Sequence, residues 1–212
     1  MACRLCETRK PRRFCPGVGG DICSLCCGME REVTVDCPLD CEYLVEAHVH
    51  ERTPPVEPDK FPNRDVPVTT EFIRANGETL QFLGTVVMAA ALESGSAVDF
   101  DIRDALESLV KTYKTLQTGL YYESRPNGPV AAHIFGRVQQ AVEQMRIDER
   151  QRHGMSRLRD SDVLGVLAFL QRLEIDRNNG RRRGRAFLDF LRQQLEGATE
   201  PAPNQAPSLI VP

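Results

Sequence analysis

From Thr70 onward apolar residues return every three or four positions, the spacing that draws one stripe down a helix. Leu80, Leu83, Val87, Ala90 and Ala91 mark a first stretch that stops at Ser94-Gly95, with Gly77 breaking or bending its start. A second begins near Asp99 or Asp101 and carries Ile102, Ala105, Leu106, Leu109, Tyr113 and Leu116 to Gly119. After the turn Pro126-Asn127-Gly128-Pro129, a longer helix holds Val130, Ile134, Val138, Ala141, Val142 and Met145 on one face. Ser161-Asp162 opens a fourth, through Val163, Val166, Leu167, Leu170 and Leu173, which ends at Asn178-Asn179-Gly180. The last runs from about Arg185 to Glu196 and turns Phe187, Leu188, Leu191 and Leu195 inward. No period-two alternation competes with these stripes. Residues 70–196 are therefore expected to form an all-α domain of about five helices, as an antiparallel bundle or a less regular all-α fold. Residues 197–212 hold four prolines and no such stripe, which predicts a disordered tail.

Upstream the pattern changes. Residues 53–69 set Pro54, Pro55, Pro58, Pro62 and Pro67 among charged residues, the composition of an extended linker or a strap along the next domain. Residues 1–52 contain too few apolar positions for a core of their own. They contain instead all eight cysteines of the chain: Cys3, Cys6, Cys15, Cys23, Cys26, Cys27, Cys37 and Cys41.

Cys3-x2-Cys6 and Cys23-x2-Cys26, with sixteen residues between the pairs, have the spacing of a four-cysteine zinc site. The remaining four thiols suffice for a second ion. Gly17-Val18-Gly19-Gly20 reads as a tight turn between short strands, and Glu32-Val33-Thr34-Val35-Asp36 as a strand leading to Cys37. Pro38 and Asp40 open a helix through Tyr43, Leu44 and Val45, with Cys41 on its first turn. Strand, knuckle and ligand-bearing helix follow one another in the order of a treble clef. The expected fold is thus a small zinc-stabilised treble-clef-like module at residues 1–52 joined to the all-α domain. One site takes Cys3, Cys6, Cys23 and either Cys26 or Cys27; the other takes Cys15, the remaining member of that vicinal pair, Cys37 and Cys41. His48 and His50 are alternates, and both are expected to be solvated.

The segment from Cys3 to Cys41 resembles the HIT and MYND zinc fingers. The shared residues are Cys3-x2-Cys6, Cys15-Pro16, and Ile22-Cys23-Ser24-Leu25 with Cys27 four residues after Cys23, then a distal cysteine. It departs from them in placing Val18 and Gly19 where a further cysteine follows Cys15-Pro16, and in having no histidine between Cys27 and Cys37. The resemblance implies two zinc ions in an interleaved, cross-braced arrangement, a Cys-x3-Cys second pair that includes Cys27, and a role in binding protein. Cys-Ser-Leu-Cys-Cys-Gly with Cys-Pro-x-Asp-Cys-x-Tyr-Leu is also similar to wording in bacterial proteins that carry no functional assignment.

Charge adds one contrast. The 212-residue chain has a net charge of -3, yet residues 145–196 hold twelve Lys/Arg against eight Asp/Glu. Arg9-Lys10-Arg12-Arg13 and Arg181-Arg182-Arg183-Gly184-Arg185 are the candidates for phosphate contacts. The aromatic residues that single-strand binders place among their cations are missing, so carboxylates, those of residues 99–107 or of a partner, are the expected counter-charges of the second cluster. Tyr113, Tyr121, Tyr122 and His133 are expected at core and rim positions rather than around a pocket. No catalytic triad, HExxH, phosphate-binding glycine loop or paired carboxylate set is present. The sequence therefore predicts a non-enzymatic protein acting in protein–protein interaction, with structural zinc. Nucleic-acid binding is the alternative, and a thiol/zinc redox sensor the third reading. With no secretory leader or membrane-length apolar run, and with clustered cysteines, a reducing cytoplasmic location is expected.

Overall fold

The computed structural model describes residues 2–51, 56–120 and 122–197. Among them are eight α-helices and one two-stranded sheet. Of the described residues 61% are helical. Of the tail expected at 197–212, Gly197 is the last residue of the final helix, and the remainder lies outside the described residues, as do Tyr121 and residues 52–55 with Pro54 and Pro55.

The cysteine-rich part begins with a loop and an antiparallel hairpin, β1 (Arg13–Cys15) and β2 (Gly20–Ile22), in which Arg13 pairs with Ile22 and Cys15 with Gly20. The turn between them needs Gly19 at φ 64, a left-handed conformation that costs glycine little. A seven-residue helix, α1 (Ser24–Glu30), follows at once, with the Cys23 side chain accepting the Cys26 N–H as its cap. After a loop over residues 31–41 comes α2 (Glu42–His50). The strand expected at Glu32–Asp36 is instead a turn, closed by a single bridge between Arg31 and Val35. Glu32 takes a left-handed backbone (φ 54) there, which a strand would not allow.

The helical part comprises α3 (Thr70–Ala75), α4 (Gly77–Ser94), α5 (Asp99–Gln117), α6 (Pro129–His153), α7 (Asp160–Arg177) and α8 (Ala186–Gly197). The first expected helix is divided at Asn76-Gly77, where Gly77 begins a new segment. Pro129 sits in the first turn of α6, where its missing N–H costs nothing, and Gly95 and Gly154 close α4 and α6 in left-handed conformation. The predicted stripes are the buried faces. Leu83 and Val87 of α4, Ile102, Leu106 and Leu109 of α5, Ile134 and Val138 of α6, Leu164 and Leu167 of α7 and Phe187 of α8 meet in one core. α5 lies between α6 and α7, and α4 lies against α6 and α8. Phe72 of α3 covers Gly165 of α7 so closely that a methyl group there would run into the ring.

The proline-bearing segment straps the helical part. Val66 is buried in its core, Asn63 Nδ2 donates to Gln171 Oε1 at 2.7 Å, and Arg172 donates to the carbonyls of Asn63 and Val66.

A second core serves the cysteine-rich part. Its buried members are Cys3, Cys15, Ile22, Cys23, Cys26, Val35, Cys37 and Leu44, so that thiols outnumber aliphatic side chains. Burying a thiol releases little compared with a leucine, and so small an apolar set does not hold fifty residues.

Candidate metal centre

Cys3 and Cys6 come from the first loop, and Cys23 and Cys26 flank the start of α1. The loop is tied to the hairpin by Arg4, whose N–H donates to Asp21 O at 2.9 Å and whose guanidinium donates to Gly19 O at 2.6 Å. These bonds bring the two knuckles face to face. All four sulfurs lie within 4.8 Å of one another. A tetrahedral ion with Zn–S bonds of about 2.3 Å needs sulfurs roughly 3.8 Å apart, so the set fits zinc with a small contraction. Backbone N–H groups point at the sulfurs as well: Cys23 N to Cys3 Sγ at 3.2 Å and Cys26 N to Cys23 Sγ at 3.4 Å.

The protons are unevenly held. Hydrogen bonding from Thr8 takes the Cys6 thiol down to about 5, while burial, with neighbouring sulfurs adding to it, pushes Cys26 up to about 12. Burial opposes ionisation of Cys3, but the amides of Cys6 and Cys23 outweigh it and lower its pKa. The Arg9 guanidinium is raised by its hydrogen bond to Cys23. One thiolate, an adjacent cation and a thiol that resists ionisation make a cluster from which a divalent ion would displace protons.

Cys26, not Cys27, belongs to this set. Cys27 lies on the other side of α1 and lines a void of about 20 Å³ together with Cys15, Cys37 and Cys41. That volume admits one water-sized sphere. Ile22, Leu44, Phe14 and Tyr43 complete the lining with Arg13 and Arg31. The sulfurs here stand farther apart than in the first set. Burial, its largest influence, drives the Cys37 thiol up to about 11. In chain order the two sets alternate: Cys3 and Cys6, then Cys15, then Cys23 and Cys26, then Cys27, Cys37 and Cys41.

A third cluster escaped the sequence reading. His48, expected in solvent, is buried with Nε2 3.1 Å from Glu32 Oε2 and Nδ1 3.1 Å from Asp189 Oδ2. Glu32 of the 31–35 turn and Asp189 of α8 flank the ring, which leaves the side chain 7% exposed. Burial opposes its charge, but the two carboxylates prevail and raise the imidazole to about 9. Glu32 is fully buried; burial raises its pKa, yet His48 and further donors hold it below its ordinary value. Those donors are Arg185 N to Oε1 at 2.7 Å and Asn179 Nδ2 to Oε2 at 2.8 Å. Glu51 joins through Asn179 and through Arg181 at 2.8 Å. Glu32, His48 and Glu51 are close enough to share a cation. Here His48, Arg181 and the Arg185 amide already occupy the atoms that would face it. No signal in the sequence pairs Glu32 or Asp189 with His48.

The arginine cluster has carboxylate partners, but not from residues 99–107. Arg181 meets Glu51, Arg185 meets Asp36 at 2.8 Å and Arg183 meets the same Asp36 at 3.9 Å. Backbone carbonyls of the loop 31–41 accept as well: Arg181 donates to Arg31 O and Arg185 to Cys37 O, and Arg192 of α8 donates to Leu39 O. Asp99 does act nearby, accepting the N–H groups of Phe187 and Leu188 at the start of α8. Burial, partly offset by those amides, pushes its carboxyl up to about 7. Arg9, Lys10 and Arg12 are exposed. Tyr113 is buried, Tyr122 is exposed, and His133 Nε2 lies 3.1 Å from Glu93 Oε2.

No family model, curated protein or solved structure compared with the chain matches it. Among the described residues no helix is long and apolar enough to cross a membrane.

Proposed function

We propose that residues 1–52 form a cross-braced, treble-clef-like module holding two structural zinc ions, with which a non-enzymatic cytoplasmic protein binds a protein partner. The first ion takes Cys3, Cys6, Cys23 and Cys26, and the convergence of those four sulfurs carries the reading. Cys15, Cys27, Cys37 and Cys41 hold the second around their shared void. Zinc in these positions supplies the folding free energy that Ile22, Val35 and Leu44 cannot, on the order of 10 kcal/mol per ion in small zinc modules. A structural role follows from the ligand count, because four cysteines leave no open position for a substrate.

The resemblance to HIT and MYND fingers favours a protein partner. The engagement of Arg181 and Arg185 with carboxylates and carbonyls weighs the same way, since it takes those two members of the larger basic cluster out of use on phosphates. Nucleic-acid binding through Arg9, Lys10 and Arg12, whose side chains are exposed, is the alternative. The redox-sensor reading rests on vicinal Cys26 and Cys27, which serve different centres.

Metal analysis of protein purified without added zinc should give two ions per chain. A value near one would overturn the two-centre reading, and retention on RNA at physiological salt would reverse the choice of partner.

A further inference from the structure

Two guanidiniums converge on one sulfur of the second centre. Arg13 Nη1 and Arg31 Nη2 each donate to Cys27 Sγ at 3.8 Å. The Arg13 guanidinium lies over the Tyr43 ring, 3.9 Å from its centroid, and the backbone of Arg31 is fixed by its carbonyl, which accepts from Arg181 at 2.8 Å. No carboxylate lines the void, so nothing within it competes for these cations.

We propose that Arg13 and Arg31 are the charge-compensating residues of a zinc tetrathiolate at Cys15, Cys27, Cys37 and Cys41, and set how tightly that centre keeps its ion. This rests on the two-centre reading above. Four thiolates around a divalent ion leave two negative charges in excess. Cys15 and Cys37 are buried, and an excess charge beside them is costly unless paired. Two arginines cancel it. Their planar, weakly hydrated forks suit this position better than ammonium groups do. Their N–H bonds also draw charge from Cys27, which turns the other way along α1 from Cys26. Arg13 thereby leaves the exposed basic run Arg9-Lys10-Arg12 and takes a local duty, while Arg31 joins the centre to the clamp formed by Arg181.

The test is competition for metal between the full-length, zinc-loaded protein and a chromogenic chelator, with cobalt(II) absorption as the report on four-sulfur coordination. The wild type should release two ions in separable steps. In R13Q/R31Q one step should weaken by about ten- to a hundredfold, the range found when outer hydrogen-bond partners of metal ligands are removed, and the other should be unchanged. R12Q, which removes a neighbouring charge that touches no cysteine, should match the wild type. R13K/R31K should recover part of the loss because the charge returns. Should the double variant not fold, R13Q and R31Q singly should each give a several-fold loss in the same step. Unaltered affinity in the variants at two ions per chain would overturn the proposal, as would an equal loss in R12Q or in R13K/R31K. A wild type with one ion would overturn the two-centre reading beneath it.

Discussion

Glu32 belongs to the cysteine-rich part, yet its carboxylate is satisfied mainly from the helical part, so its replacement reports across the junction. In E32Q one carboxylate oxygen becomes an amide nitrogen. With that nitrogen at the Oε2 position it faces His48 and Asn179, and at the Oε1 position it faces the Arg185 N–H; either way donors confront donors at a fully buried place. Hydrogen bonds to a charged group contribute about 1.5–3 kcal/mol each, and breaking a buried ion pair costs roughly 3–5 kcal/mol. Because Gln still accepts one bond, the expected loss is about 3 kcal/mol. Urea unfolding of the zinc-loaded protein, followed by its helical circular dichroism, measures it. At a slope of about 2 kcal/mol/M the midpoint should fall by about 1.5 M with the slope unchanged. The signal arises chiefly from α3–α8, so the shift shows that the buried bonds link the stability of the two parts. A double-mutant cycle with H48Q should give a coupling on the order of 1–3 kcal/mol. A change below about 0.5 kcal/mol, or a second transition that alone moves, would refute the reasoning.

His48 also sets a pH limit. Its pKa is raised when folded, so its contribution is complete below about 6.5 and disappears as pH rises through about 9; unfolding free energies between pH 6 and 10 should show this decline, and H48Q should abolish it. Glu32 and Asp189 are depressed and act in the opposite sense, losing their contribution only as acid protonates them in the native state. G165A should destabilise by about 1–3 kcal/mol through the Phe72 ring, read as a lower Tm; an unchanged Tm would mean that α3 is readily displaced. R181S/R182S/R183S should lower stability, because contacts to Glu51, Asp36 and Arg31 O are lost, and leave nucleic-acid retention at background. Salt-sensitive nucleic-acid binding that vanishes in this variant would contradict the protein-partner reading.

The helical part was largely legible because one rule governed it. Each stripe from Leu83 to Leu191 became a buried face, and Gly77, Gly95 and Pro129 fell at helix ends as their backbones require. The first cysteine set was legible for a similar reason, since Cys-x2-Cys repeated at a fixed separation has few other uses. α1 was not, because Ser24–Glu30 contains no stripe and takes its start from the Cys23 cap. Nor was the turn at Glu32–Asp36. Its alternation of polar and β-branched residues imitates a strand, but Glu32 is buried along with Val35, while Val33 is exposed. Periodicity assumes that charged side chains face water; here His48 faces Glu32 and, across more than a hundred residues of chain, Asp189.

That buried charge explains what the second arginine cluster is for. Cations near the start of a helix oppose its dipole, so Arg181, Arg183 and Arg185 ahead of α8 need a compensating reason. Asp99 answers the dipole itself by accepting the first free amides of α8. The guanidiniums are thus left to grip the loop 31–41 by its carbonyls and by Asp36. This loop carries Cys37 and leads to Cys41, and Arg185, 6% exposed, reaches back to Ala97 O between α4 and α5. The loop is therefore held from two sides, by Val35 and Cys37 in the cysteine-rich core and by Leu39 and the arginine bonds on the helical part. Hydrogen bonds are directional where apolar contact is not, so this junction sets one orientation of the cysteine-rich part on the helices, and loosening either end must weaken the hold of the other.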